Sequence, residues 1–123
     1  QRLNRAIDRM KKREDQYIAI NIKGETKKCR ISDIYYLESQ GHTIIFHTRD
    51  GELTTYGTMK NMEDDLSRYH FFRGNKGYLI NLEHVEGIKD GCAVVADEML
   101  VISRAKKNAF MAALSNYWGE AVK

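Results

Sequence analysis

Proline is missing from all 123 residues, and only two cysteines and one tryptophan are present. With no proline the chain is neither collagen nor a mucin-like stalk, and a hydrophobic share of 42% excludes an extensively disordered tail. No apolar run approaches the roughly 18–20 residues of a membrane span, and no signal peptide opens the sequence. Cys29 and Cys92 stand far apart with no CxxC and no histidine at metal spacing. They read as reduced, mostly buried thiols of a cytoplasmic protein, and zinc is excluded for want of four clustered ligands. The enzyme templates HExxH, GxSxG, GxxxxGK[ST] and GxGxxG are all absent, and His42, His47, His70 and His84 are scattered. The sequence therefore offers no catalytic set, no metal and no cofactor.

Excess charge of one sign is also scarce, at a net +3. All of that surplus lies in residues 1–15, where Arg2, Arg5, Arg9, Lys11, Lys12 and Arg13 face only Asp8, Glu14 and Asp15. The remainder is neutral overall but segregated. Residues 66–82 carry Arg68, Arg73 and Lys76 without an acid, and residues 99–119 carry Arg104, Lys106 and Lys107 without one. Residues 83–98 hold five acids against Lys89. Such segregation suits a neutral body with one positive face for an anionic partner.

The length fits one domain, with Gln1 reading as the cut end of something longer. Leu3, Ile7 and Met10 form a short helical stripe on the basic background, expected to be a linker helix over 1–15 rather than a membrane-surface helix. The domain proper then covers 16–123. From Tyr17 the period changes to two, with Ile18, Ile20 and Ile22 on one side of a strand. Lys23-Gly24 turns into a second strand, and Ile34–Glu38 and Thr43–Thr48 follow around a polar loop of Ser39, Gln40, Gly41 and His42. Asp50-Gly51 marks a hairpin, and Asp90-Gly91 another.

Thr58 is placed to cap a helix bearing Met59, Met62, Leu66 and Tyr69, with the methionines as core filler. Residues 73–77 (Arg-Gly-Asn-Lys-Gly) read as a polar loop between strands. Its glycines, like Gly41, would let backbone approach a ligand. Ser103 is expected to cap a closing helix that buries Phe110, Leu114 and Tyr117. Tyr35, Tyr36, Phe46 and Tyr56 read as core.

One set of side chains recurs in the loops: His42, then Asn75 and Lys76, then Arg104 with Lys106 and Lys107. They are rich in hydrogen-bond donors. An arginine fork suits guanine edges, and lysine suits phosphate or guanine. Arg104 in a first helical turn opposes the macrodipole, which points to an external anion.

The stretch Asp33-Ile34-Tyr35-Tyr36-Leu37-Glu38-Ser39 with His42 after it resembles the LytTR DNA-binding domain family. So do Phe72-Arg73 through Tyr78-Leu79-Ile80-Asn81-Leu82, and Ile102-Ser103-Arg104 with Lys107, Phe110 and Leu114. The resemblance runs from about Tyr17 to Trp118. It implies a mostly β, elongated arrangement of small, mainly antiparallel sheets with one short internal helix and a C-terminal helix. It also implies the output domain of a bacterial two-component response regulator, downstream of a receiver domain. Such a domain binds double-stranded promoter DNA through loops in successive major grooves, as a dimer on paired sites.

By position, His42, Asn75, Lys76 and Arg104 match base-reading places, with Gln40 in the same loop. Arg73, Lys106 and Lys107 match phosphate contacts. Gly77 stands where the family often has serine, leaving its backbone N–H as the only donor. Asn81 reads as a strand-end residue bonded to nearby backbone. Two other readings fit a small β fold: a single-stranded nucleic-acid binder, which needs exposed stacking aromatics, and a protein-interaction module.

Overall fold

Alternation and turn chemistry together build ten strands over residues 16–122, the part of the chain that the computed structural model describes. They are β1 (Tyr17–Ile22), β2 (Glu25–Arg30), β3 (Ile34–Gln40), β4 (Thr43–Thr48), β5 (Gly51–Tyr56), β6 (Phe71–Asn75), β7 (Tyr78–Asn81), β8 (Val85–Lys89), β9 (Cys92–Val95) and β10 (Glu98–Val101). Helix α1 (Met59–Leu66) separates β5 from β6, and α2 (Lys107–Val122) closes the domain. The strands form three antiparallel sheets: β1-β2, β5-β4-β3-β7-β6 and β10-β9-β8. The mostly β arrangement of small sheets is thus as expected; the 1–15 stripe lies outside the described residues.

The five-stranded sheet is the hub because three of its strands are covered on both faces. Adjacent residues in such a strand are both apolar and point to opposite cores. Leu37 and Leu79 pack with Ile34, Ile44, Phe46, Phe71 and Leu66 in one core, closed by Ile20 of β1 and by α1. Their neighbours Tyr36 and Ile80 pack with Val85, Ala93, Val95, Leu100, Ile102, Phe110 and Leu114 in the other, closed by β8–β10 and α2. Asn81 is buried between these layers, donating to the Ile34 carbonyl (2.8 Å) and accepting from Glu83 N–H (3.0 Å). It is therefore a structural residue, as expected.

Local signals explain most of the turns. Thr58 caps α1 by accepting from Asn61 N–H at 3.2 Å. Lys23-Gly24 (φ 50° and 84°) and Asp90-Gly91 (φ 53° and 76°) take the left-handed pair that a tight hairpin needs. Three expectations are corrected. The Asp50-Gly51 hairpin turns instead on Arg49-Asp50, with Thr48 Oγ accepting from Asp50 N–H (3.2 Å) and Gly51 (φ 117°) already in β5. Ser103 makes no side-chain cap; its carbonyl accepts from Lys106 N–H (2.9 Å) across a 3-10 turn, Arg104–Lys106, that precedes α2. Both expected polar loops are shorter: β6 runs to Asn75, so only Lys76-Gly77 turns, and β3 runs to Gln40, so only Gly41-His42 turns.

Candidate nucleic-acid interface

Antiparallel order sends the C-terminal ends of β3, β5 and β6 and the N-terminal ends of β4 and β7 to the same end of the central sheet. The β3–β4 turn (Gly41-His42) and the β6–β7 turn (Lys76-Gly77) are therefore neighbouring hairpin tips. Two strand spacings separate them, or roughly 10 Å. Ser39 N–H donates to the Gly77 carbonyl (2.9 Å) and fixes one tip against the other. The third segment is tied on from the far side of β6. Ser103 N–H donates to the Gly74 carbonyl (2.9 Å), and the Asn75 amide donates to the Val101 carbonyl (2.5 Å). Stretches near 40, 76 and 104 thus share one end of the molecule.

Within this end the predicted side chains divide into two groups. Gln40, His42, Lys76 and Arg104 are exposed, and their side chains make no hydrogen bond or ion pair with the described residues. Lys107 is exposed as well, its ammonium lying 2.9 Å from where a β-carbon on Gly91 would sit. Lys106 is half-buried, with Nζ 6.0 Å from the centre of the Phe72 ring.

Asn75 and Arg73 face inward. The Asn75 amide donates to Val101 while its oxygen accepts from Gly77 N–H at 2.6 Å, which also occupies the one donor left at Gly77. The Arg73 guanidinium donates to the carbonyls of Asn75 (3.1 Å) and Lys76 (3.0 Å) and to the Glu63 carboxylate (3.2 Å).

The glycines have different reasons from the one expected for them. A β-carbon on Gly74 would stand 2.8 Å from Ile102 Cδ1 and 2.9 Å from Ile80 Cδ1, so this residue is glycine for packing and not for ligand access. Gly41, at φ 63°, supplies the first central position of its hairpin turn.

Tyr56 overturns its reading as core: it is 84% exposed. It pairs with Thr43 across the sheet, and Gly57 N–H donates to the His42 carbonyl (3.2 Å), so its backbone lies beside the His42 turn. Alternation explains it: along β5 Leu53 and Thr55 turn inward while Glu52, Thr54 and Tyr56 are exposed. The other three aromatics behave as expected: Phe46 and Tyr36 are buried, and Tyr35 is half-buried with its ring edge-on to His84.

A second concave surface lies on the flank, between β3–β5 and the β9–β10 turn. This cleft of about 500 Å³ carries Glu38, Glu52, Glu98, His47, Tyr36 and Tyr78. His47 stacks on Tyr36 with ring centres 4.2 Å apart, and its Nε2 lies 2.8 Å from Glu38. Burial and then the surrounding carboxylates, Glu98 foremost, push the Tyr36 phenol up to about 12. Burial, then Asp33 and Asp50, raise the Cys29 thiol, which is free like Cys92. Among the described residues no group of three metal-ligating side chains occurs, and no helix is long and apolar enough to cross a membrane.

The family model of the LytTr DNA-binding domain matches residues 24–115. That is most of the chain, which therefore belongs to the LytTR DNA-binding domain family, a family of DNA binders and not of enzymes. A solved structure described as the LytTr DNA-binding domain of a methyl-accepting/DNA response regulator from Bacillus cereus shares the fold. Its TM-score is 0.69 at 15% identity, covering 81% of this chain and 97% of that one. No curated protein matches the chain.

Proposed function

We propose that this chain binds double-stranded DNA sequence-specifically, as the output domain of a bacterial response regulator. In this reading Gln40, His42, Lys76 and Arg104 face base edges in successive major grooves. Lys107 and Lys106 lie along phosphates, and Tyr56 stands exposed beside the His42 turn. The observation that carries it is the juxtaposition of three chain-distant segments at one sheet end, each showing donors that no described residue uses. Partnerless polar groups there cost nothing while solvated, and they are free to exchange water for a base edge or a phosphate. The same end shows no aromatic platform beyond Tyr56, which argues against stacking of successive unpaired bases. Residues 1–15 serve as the basic linker from a receiver domain to the binding domain at 16–123, and paired sites would be bound by a dimer.

The test is selection from a random pool of duplexes of about 30 base pairs, roughly three helical turns. Binding of the selected duplex is then measured across salt with single-stranded competitor. Enrichment of one motif, falling affinity with salt and failure of the single strand to compete are expected. No enrichment, or equal competition by the single strand, would refute the reading.

A further inference from the structure

The inward-facing pair at the tip has a function of its own. Arginine carries five N–H donors in a rigid fork, and here that fork spans three acceptors on two different elements. Two are successive carbonyls of the turn, those of Asn75 and Lys76; the third is Glu63 on α1. The Arg73 side chain is only 21% exposed. The backbone N–H of Gly77 is already taken by Asn75, so Arg73 closes the carbonyl side of the same turn.

We propose that Glu63 and Arg73 form a positioning couple that presets the Lys76 turn for DNA, Arg73 acting on the turn and Glu63 acting on Arg73. Glu63, an acid on a helix, then supports binding to a polyanion without touching it. The proposal rests on the duplex-binding reading above and departs at one residue from what the family resemblance implies: the Arg73 charge is not a phosphate contact.

The couple and simple electrostatics predict opposite signs for the loss of the Glu63 charge. Electrostatics alone says that deleting an acid near bound DNA strengthens binding, most at low salt. A positioning role says that it weakens binding. The experiment uses the full 123-residue chain and the selected duplex, with affinity measured by fluorescence anisotropy across a salt series. Glu63→Gln is expected to bind about threefold more weakly, the scale of a partly exposed ion pair, with an unchanged salt slope. Asp65→Asn removes an equal charge from an exposed position of the same helix, and is expected to bind equally or more tightly. Arg73→Gln is expected to bind about tenfold more weakly, again with the slope unchanged.

Circular dichroism establishes that each variant is folded at the assay temperature. Should Arg73→Gln fail to fold, Glu63→Gln and Asp65→Asn decide between them. The couple is overturned if Glu63→Gln binds as tightly as the parent or more so. It is also overturned if Arg73→Gln lowers the salt slope by about one, which would make Arg73 a phosphate contact. Failure of the parent chain to bind any duplex is a different result, and removes the duplex-binding reading together with this one.

Discussion

The loop end of the central sheet and the cleft on its flank are both polar, yet they treat their polar groups in opposite ways. On the flank, His47 is stacked on Tyr36 and lies between Glu38 and Glu52, and the tyrosines feel the carboxylates around them. At the loop end, Gln40, His42, Lys76 and Arg104 are exposed, while Asn75 is bonded to backbone and Arg73 to backbone and to Glu63. On the proposed function, the difference separates scaffold from reader. A side chain whose donors are consumed internally fixes geometry; one whose donors are free is available to a partner.

Breaking this contrast at the reader should produce the largest effect. Arg104→Ala is expected to cost about 1–3 kcal/mol of specific affinity and to relax base preference at one position, with little change in melting temperature. A repeat of the duplex selection with the variant checks this. Gly74→Ala attacks the scaffold instead. Pushing a methyl against Ile80 and Ile102 is expected to cost about 1–3 kcal/mol of stability by urea denaturation, and to weaken binding with it. If stability falls and affinity does not, the packing under the tip is irrelevant to reading.

Smaller effects sharpen the contrast. Lys107→Ala is expected to weaken all duplexes alike and to lower the salt slope by about one, unlike Arg104→Ala. Identical behaviour of the two would refute the division between base and phosphate contacts.

On the flank the readout is stability against pH. The folded state holds the Tyr36 phenol at about 12 against an ordinary value near 10, so the folded form binds that proton more tightly. Stability from this group is complete below about pH 10 and is lost as pH rises towards 12. Tyr36→Phe should flatten that alkaline loss, by about 1 kcal/mol after allowing for solvent screening. Smallest of all, Glu52→Gln should leave duplex affinity within about twofold, since a carboxylate on the flank lies away from the reading loops.

Much of the fold was legible because the signals were local. The Ile18, Ile20 and Ile22 alternation, the Thr58 cap, and the Lys23-Gly24 and Asp90-Gly91 turns each need only a few neighbouring residues to be decided. Failures came where tertiary contacts decide.

Residues 73–77 look like a loop by composition, yet the pairing of Phe71–Asn75 with β7 and the approach of Ile102 to Gly74 make most of them strand. The same holds for the site. Gln40, His42, Lys76 and Arg104 were readable as exposed donors; sheet order brings the first three together, and the Ser103–Gly74 bond adds Arg104. That Arg73 and Asn75 turn inward was not readable, because their partners Glu63 and Val101 lie 10 and 26 residues away. Tyr56 is different: it shares the exposed side of β5 with Glu52 and Thr54, and its aromatic character outweighed that alternation in the reading as core.

The most direct measurement is a backbone-amide NMR titration of the chain with its selected duplex. Perturbations should concentrate at Gln40, His42, Tyr56, Lys76 and Arg104 while Glu52 and Glu98 stay still. Shifts centred on Glu38, Glu52 and Glu98 instead, with Lys76 and Arg104 unmoved, would contradict the account.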